Sequence, residues 1–166
     1  WTWEHQALLR ARSVAGAPTL RERFEALRRD VLRFAVRRDT LREDVRAMRE
    51  RMRAELSRSG PGQFDLKQDA GGITDIEFLA QYWTLLWSER YAELVTYSDN
   101  IRQLESLASI DLVSQQTVDL LTGAYRVYRQ RMHHLSLEAA ETVVPATEFA
   151  ETRAAVSAIW DEVMGK

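Results

Sequence analysis

Lys67, the pair Gly71-Gly72 and a following turn that holds Thr74, Asp75 and Glu77 form the one stretch of this 166-residue chain whose residue types and spacing suit chemistry. Adjacent glycines let the backbone approach another group closely, a helix N-terminus presents unpaired N–H groups, and lysine supplies a compact positive charge. Together these suit an anion such as phosphate. The same residues also suit a purely structural role: Gly-Gly can be a plain helix entry, and two acids in the first turn already satisfy the helix dipole and would repel a phosphate. Composition adds one hint. Of 23 basic residues only Lys67 and Lys166 are lysine, so an ammonium at position 67 stands apart in a chain that otherwise uses guanidinium.

Other groupings carry less. His134 and Glu138 share a helix face, but His133 points elsewhere and no third ligand lies near, so polar packing or capping is expected and no metal site is. Trp83 and Trp87, four residues apart, read as core aromatics at helical spacing. There is no Walker loop, no HExxH and no Ser-His-Asp order. A Gly-Ser followed by Asp-x-Asp, which a metal-dependent nucleotidyltransferase needs to hold Mg²⁺, is missing as well.

The elements that must position these residues are helices. Only seven Gly and three Pro interrupt the chain, and apolar residues recur at helical spacing, which predicts an all-α fold: a single bundle of about six to seven helices. The first helix is expected over residues 2–15, closed by Gly16. The second starts at Ala17-Pro18-Thr19 with Leu20, Phe24, Leu27 and Val31 on its inner face, and the third starts at Thr40 with Leu41, Val45, Met48, Met52 and Leu56 inward. Residues 63–72 read as an ordered loop with a short extended piece. The next helix begins near Thr74 in a capping box with Glu77, and because it is apolar nearly all round it is expected to be the buried central helix. Ser98-Asp99-Asn100 and Ser114 cap two more. Pro145 and Thr147 introduce the last, with Phe149, Val156, Ile159 and Val163 inward.

Composition sets outer bounds. A chain with 45% hydrophobic residues can bury a core, and the size suits one domain. Without cysteine there is no disulfide framework and no pull toward an oxidising compartment, and no apolar run or leader points to a membrane, so the cytoplasm is expected. The start at Trp1 rather than Met reads as a fragment. Residues 1–60 carry 15 Arg against 9 Asp and Glu, and the remainder 8 basic against 16 acidic residues. The arginines alternate with acids, the pattern of a solvated helix face rather than of a nucleic-acid surface.

The stretch Phe64-Asp65-Leu66-Lys67-Gln68-Asp69-Ala70-Gly71-Gly72-Ile73-Thr74-Asp75-Ile76-Glu77-Phe78 closely resembles the post-catalytic motif of bacterial glutamine synthetase adenylyltransferases. Residues 3–12, 98–105 and 132–137 agree with that family in the same order, so the resemblance runs along essentially the whole chain. It implies an enzyme of two similar halves, each a nucleotidyltransferase domain followed by helices, one attaching AMP to a tyrosine of glutamine synthetase and the other removing it. Glutamine and the PII protein decide which half works. The chain is similar to the helical portion of the second, adenylylating half, with ATP and Mg²⁺ serving the parent enzyme and the catalytic carboxylates upstream of Trp1. This chain alone is then expected to be inactive. A related Lys-x-x-x-Gly-Gly-x-x-Asp pattern is similar to that of the uridylyltransferases that modify PII. The resemblance thus points Lys67, Gly71, Gly72 and Asp75 toward nucleotide phosphates or the catalytic domain, and Glu4, Arg10 and Arg12 toward the junction with that domain. The partners it implies are the upstream domain, glutamine synthetase and PII. The alternative from another class is a helical interaction module that receives glutamine synthetase, PII or glutamine without chemistry of its own.

Overall fold

The computed structural model describes residues 1–165 and is all-α apart from one small sheet. In chain order the elements are α1 (Thr2–Arg10), α2 (Pro18–Phe34), α3 (Leu41–Leu56), β1 (Gln63–Asp65), α4 (Ile73–Trp87), a 3₁₀ turn (Ala92–Val95), α5 (Asn100–Ser109), α6 (Gln115–Leu137), β2 (Val143–Pro145) and α7 (Ala150–Met164). The residues group into two compact units, one of Trp1–Val45 with Ala80–Val113 and the other of Arg46–Leu79 with Ser114–Lys166. No helix among the described residues is long and apolar enough to cross a membrane.

The first unit is organised by buried arginine. Arg28 of α2 is fully buried and donates from Nε to the Leu8 carbonyl at 3.0 Å, from Nη2 to Leu9 at 2.6 Å and from Nη1 to Val95 at 2.8 Å. It therefore satisfies the orphan carbonyls at the end of α1 and ties that end to the 3₁₀ turn. This is why α1 stops at Arg10 and does not run on to residue 15. Burial lowers the Arg28 guanidinium from its ordinary pKa, against the opposing pull of Glu25. The inner face of α2 is Arg28 and Leu32, not the expected row Leu20, Phe24, Leu27, Val31: Leu20 and Leu27 face solvent. Asp99 caps α5 as expected, accepting from the Arg102 amide at 3.0 Å, and Leu104 and Leu107 point inward.

In the second unit β1 pairs antiparallel with β2, Phe64 opposite Val144, and the ladder is extended by Leu66 N–H to the Thr142 carbonyl at 2.9 Å. Ser114 caps α6, whose Val118, Leu121, Tyr128 and Leu135 are buried, and α7 buries Val156, Trp160 and Met164. The face of α7 is thus turned by about one residue from Val156, Ile159 and Val163. Helix α4, of which residues 73–79 belong to this unit and residues 80–87 to the first, is buried at 12 of its 15 residues, including Phe78 and Trp83, so a helix apolar all round is indeed the most enclosed element. It begins at Ile73. Thr74 consequently lies inside the first turn, not at the cap.

Candidate functional site

The loop between β1 and α4 is held by three buried aspartates, each bound to a different set of donors. Asp65 Oδ1 accepts from the amides of Lys67 at 2.9 Å and Gln68 at 3.1 Å and from Thr142 Oγ1 at 3.2 Å, folding residues 65–68 into a side-chain-capped turn. Asp69 Oδ2 accepts from the Asp65 amide at 2.9 Å, and its Oδ1 accepts from Ser57 Oγ at 2.7 Å. Burial acts to raise the Asp69 carboxyl, but bonds from Ser57, Ser59 and the Asp65 amide outweigh it and hold the group below its ordinary range. Asp75 Oδ2 accepts from the Gly71 amide at 2.7 Å, while its Oδ1 takes Arg49 Nε at 2.6 Å and Arg53 Nη2 at 3.3 Å.

Arg49 reaches the loop a second time through Nη2, which donates to the Gln68 carbonyl at 2.7 Å. Burial lowers its guanidinium from the ordinary value, with Asp75 opposing that shift, so the ion pair is a desolvated one. From α7, Arg153 Nε donates to the Ala70 carbonyl at 3.0 Å and lays its guanidinium over the Phe64 ring, 4.6 Å from the centroid. The loop is therefore fastened from α3, from Thr142 just before β2 and from α7.

Both glycines are required by packing. Gly71 has φ +77°, and a Cβ there would stand 2.3 Å from the Arg153 carbonyl oxygen and 2.7 Å from Ser157 Oγ. A Cβ on Gly72 would meet the Leu66 and Asp69 carbonyl oxygens at 2.8 and 3.0 Å. The amides that open α4 are also occupied: Gly72 N–H donates to Asp69, Ile73 to Leu66, Thr74 to Lys67 and Asp75 to Gly72. The one positive charge that residues 66–72 themselves carry is the Lys67 side chain. That side chain is exposed and its ammonium makes no ion pair among the described residues, although its amide and carbonyl are both fixed.

The loop brings Lys67, Gly71, Gly72 and Asp75 together. Glu4, Arg10 and Arg12 are exposed and belong to the first unit, where Glu4 accepts from the Trp1 amino group at 2.8 Å. His133, His134 and Glu138 are exposed, and no group of three metal-ligating side chains occurs among the described residues. With Asp65, Asp69 and Asp75 committed to amides, hydroxyls and guanidinium groups, the carboxylates at this loop do not fit a Mg²⁺ site. Sequence reasoning passed over Arg49, Arg53 and Arg153. The available signal was Asp75, a carboxylate on an otherwise apolar helix that needs a buried partner, and the i, i+4 row Leu41, Val45, Arg49 that leads one to it.

Residues 43–160 match the family model described as GlnD PII-uridylyltransferase, and the chain belongs to that family. Over 99% of its length it is 47% identical to the bifunctional glutamine synthetase adenylyltransferase/adenylyl-removing enzyme of Thioalkalivibrio sulfidiphilus, and over its whole length 43% identical to the enzyme of the same name from Hahella chejuensis. It covers 17% and 18% of those proteins, so it spans less than a fifth of the length of the curated relatives it matches. The resemblance in residues 64–78 therefore extends along the entire chain.

Proposed function

We propose that the chain is the helical part that follows the nucleotidyltransferase domain in the adenylylating half of a bifunctional enzyme, one that transfers AMP from ATP to a tyrosine of glutamine synthetase and in its other half removes it. The names of relatives at 43–47% identity support the reaction class. The observation that carries the role is Lys67: a lone exposed ammonium on a loop whose backbone is fixed from three directions. With the backbone fixed, only the lysine side chain remains to be ordered when its charge meets a phosphate. Mg²⁺ belongs with carboxylates of the upstream domain, since those of this loop are already bound.

The chain by itself then leaves glutamine synthetase unlabelled when incubated with ATP and Mg²⁺, whereas the full-length enzyme labels it. Clear AMP transfer by the pure chain would contradict the reading. A second reading, a helical module that receives glutamine synthetase, PII or glutamine without chemistry, is favoured by the internally paired amides at the start of α4. Measuring turnover of full-length enzyme and its Lys67→Ala variant at saturating ATP and glutamine synthetase separates the two, because a pure interaction module leaves the chemical step unchanged.

A further inference from the structure

Between residues 64 and 69 the chain turns so that a single side chain reaches water. Phe64, Asp65, Leu66, Gln68 and Asp69 are buried, and Lys67 alone is exposed. No regular element sets that direction, because β1 ends at Asp65 and α4 begins only at Ile73. The turn is closed by Asp65, which is 1% exposed and whose Oδ1 accepts from the Lys67 amide at 2.9 Å and the Gln68 amide at 3.1 Å. An aspartate bonded in this way to the amides that follow it reproduces a backbone turn with its own side chain. The carboxylate is anchored in turn: Thr142 Oγ1 donates to Oδ1 at 3.2 Å and the Arg58 amide to Oδ2 at 3.3 Å. It makes no ion pair among the described residues, so its buried charge is satisfied by amides and a hydroxyl alone.

We propose that Asp65 is the positioning residue for Lys67: by closing the 65–68 turn it fixes the point from which the ammonium leaves the surface, and it serves AMP transfer without touching the nucleotide. The inference rests on the role proposed above for Lys67. Asp65 is singled out among the three aspartates of the loop because Asp69 holds the Asp65 amide and Asp75 holds that of Gly71, whereas Asp65 holds that of Lys67 itself. The Lys67 carbonyl, by contrast, accepts from a backbone amide, that of Thr74 at 3.2 Å. A residue that acts only through Lys67 loses its effect on turnover once the lysine is gone. An aspartate that merely stabilises the fold lowers turnover by the same factor whether or not the lysine is present.

A double-mutant cycle in the full-length enzyme tests this, read as kcat for adenylylation at saturating ATP and glutamine synthetase. Lys67→Ala is expected to lower kcat by about tenfold or more and Asp65→Ala by about five- to tenfold, while the double variant stays within about twofold of Lys67→Ala alone. Should Asp65→Ala fail to fold, Thr142→Val supplies a second cycle, since it removes one donor to Oδ1 and keeps the Thr142 carbonyl that accepts from Leu66. Its expected loss is about two- to threefold with Lys67 present and none with Lys67→Ala. Equal losses in both backgrounds, or no loss from either variant beside a clear Lys67→Ala effect, would overturn the positioning role and leave the reading of Lys67 standing. A Lys67→Ala enzyme that turns over like wild type would overturn both.

Discussion

Arg49 and Asp75 form a fully buried ion pair, Nε to Oδ1 at 2.6 Å, and through it helix α3 holds both the first turn of α4 and the carbonyls of the preceding loop. Removing one member leaves the other charged and enclosed, which costs far more than the net worth of the pair. Arg49→Met is therefore expected to destabilise the chain by about 3–5 kcal/mol in urea unfolding. A double-mutant cycle with Asp75→Asn should give a coupling of about 1–3 kcal/mol. Additive effects would show that the two side chains are held independently.

Three glycines separate conformation from packing. Gly71→Ala meets both a positive φ and a carbonyl oxygen at 2.3 Å and is expected to cost roughly 2–5 kcal/mol. Gly72→Ala meets only crowding and should cost about 1–3 kcal/mol. Gly123→Ala, inside α6 with nothing within 4 Å of the new Cβ, should stabilise by about 0.5–1 kcal/mol. Thermal melting of the three variants checks the order, and a stabilising Gly71→Ala would contradict the close approach of the loop to α7.

How much of this was legible in the sequence varied with the range of the interaction. The caps at Asp99 and Ser114 and the enclosed helix α4 were readable because each depends on residues within a few positions. The loop was recognised as ordered, but its fastenings were not. Arg49, Arg53 and Arg153 count as polar in any periodicity, so a buried guanidinium is invisible until its carboxylate and carbonyl partners are placed. The end of α1 was misplaced because Arg28, far along the chain, satisfies its carbonyls. Strand β2 was missed because three residues carry no pattern of their own and pair with a segment some eighty residues earlier. The inner face of α2 was misread for the opposite reason: its clearest apolar row leaves Leu20, Leu27 and Phe34 largely exposed.

Protonation of Asp69 gives a pH signature. Its carboxyl lies below the ordinary 3.8, burial being outweighed by donated hydrogen bonds, so the folded pKa is depressed. Such a group contributes stability above its unfolded pKa and loses it as pH falls through the folded one, hence below about pH 4. Ser57→Ala removes one donor to the ionised form and should cost about 1.5–3 kcal/mol near neutrality. The difference from wild type should shrink as pH falls below 3.8. A gap that stays constant into strong acid would show that Ser57 does not serve the Asp69 charge.

Tyr128 is fully buried between Phe64 and Phe149, and its hydroxyl has no hydrogen-bond partner among the described residues. Burial pushes its phenol up to about 12. Since the hydroxyl contributes only a desolvation penalty, Tyr128→Phe is expected to be neutral or to stabilise by about 1 kcal/mol. A loss above about 1 kcal/mol on chemical denaturation would reveal a bond to that oxygen.

Lys67→Ala in the full-length enzyme tests the central claim most directly, because the side chain is exposed and makes no ion pair among the described residues, while the loop beneath it is fixed by other residues. If the ammonium faces the nucleotide phosphates, it stabilises charge that develops on the leaving pyrophosphate. Adenylylation of glutamine synthetase should then fall by roughly tenfold or more, about 1.4 kcal/mol in barrier, with the melting temperature moving by no more than about 1 °C. Unchanged adenylylation, or a loss of activity matched by a large loss of stability, would contradict the account and return the loop to a structural role.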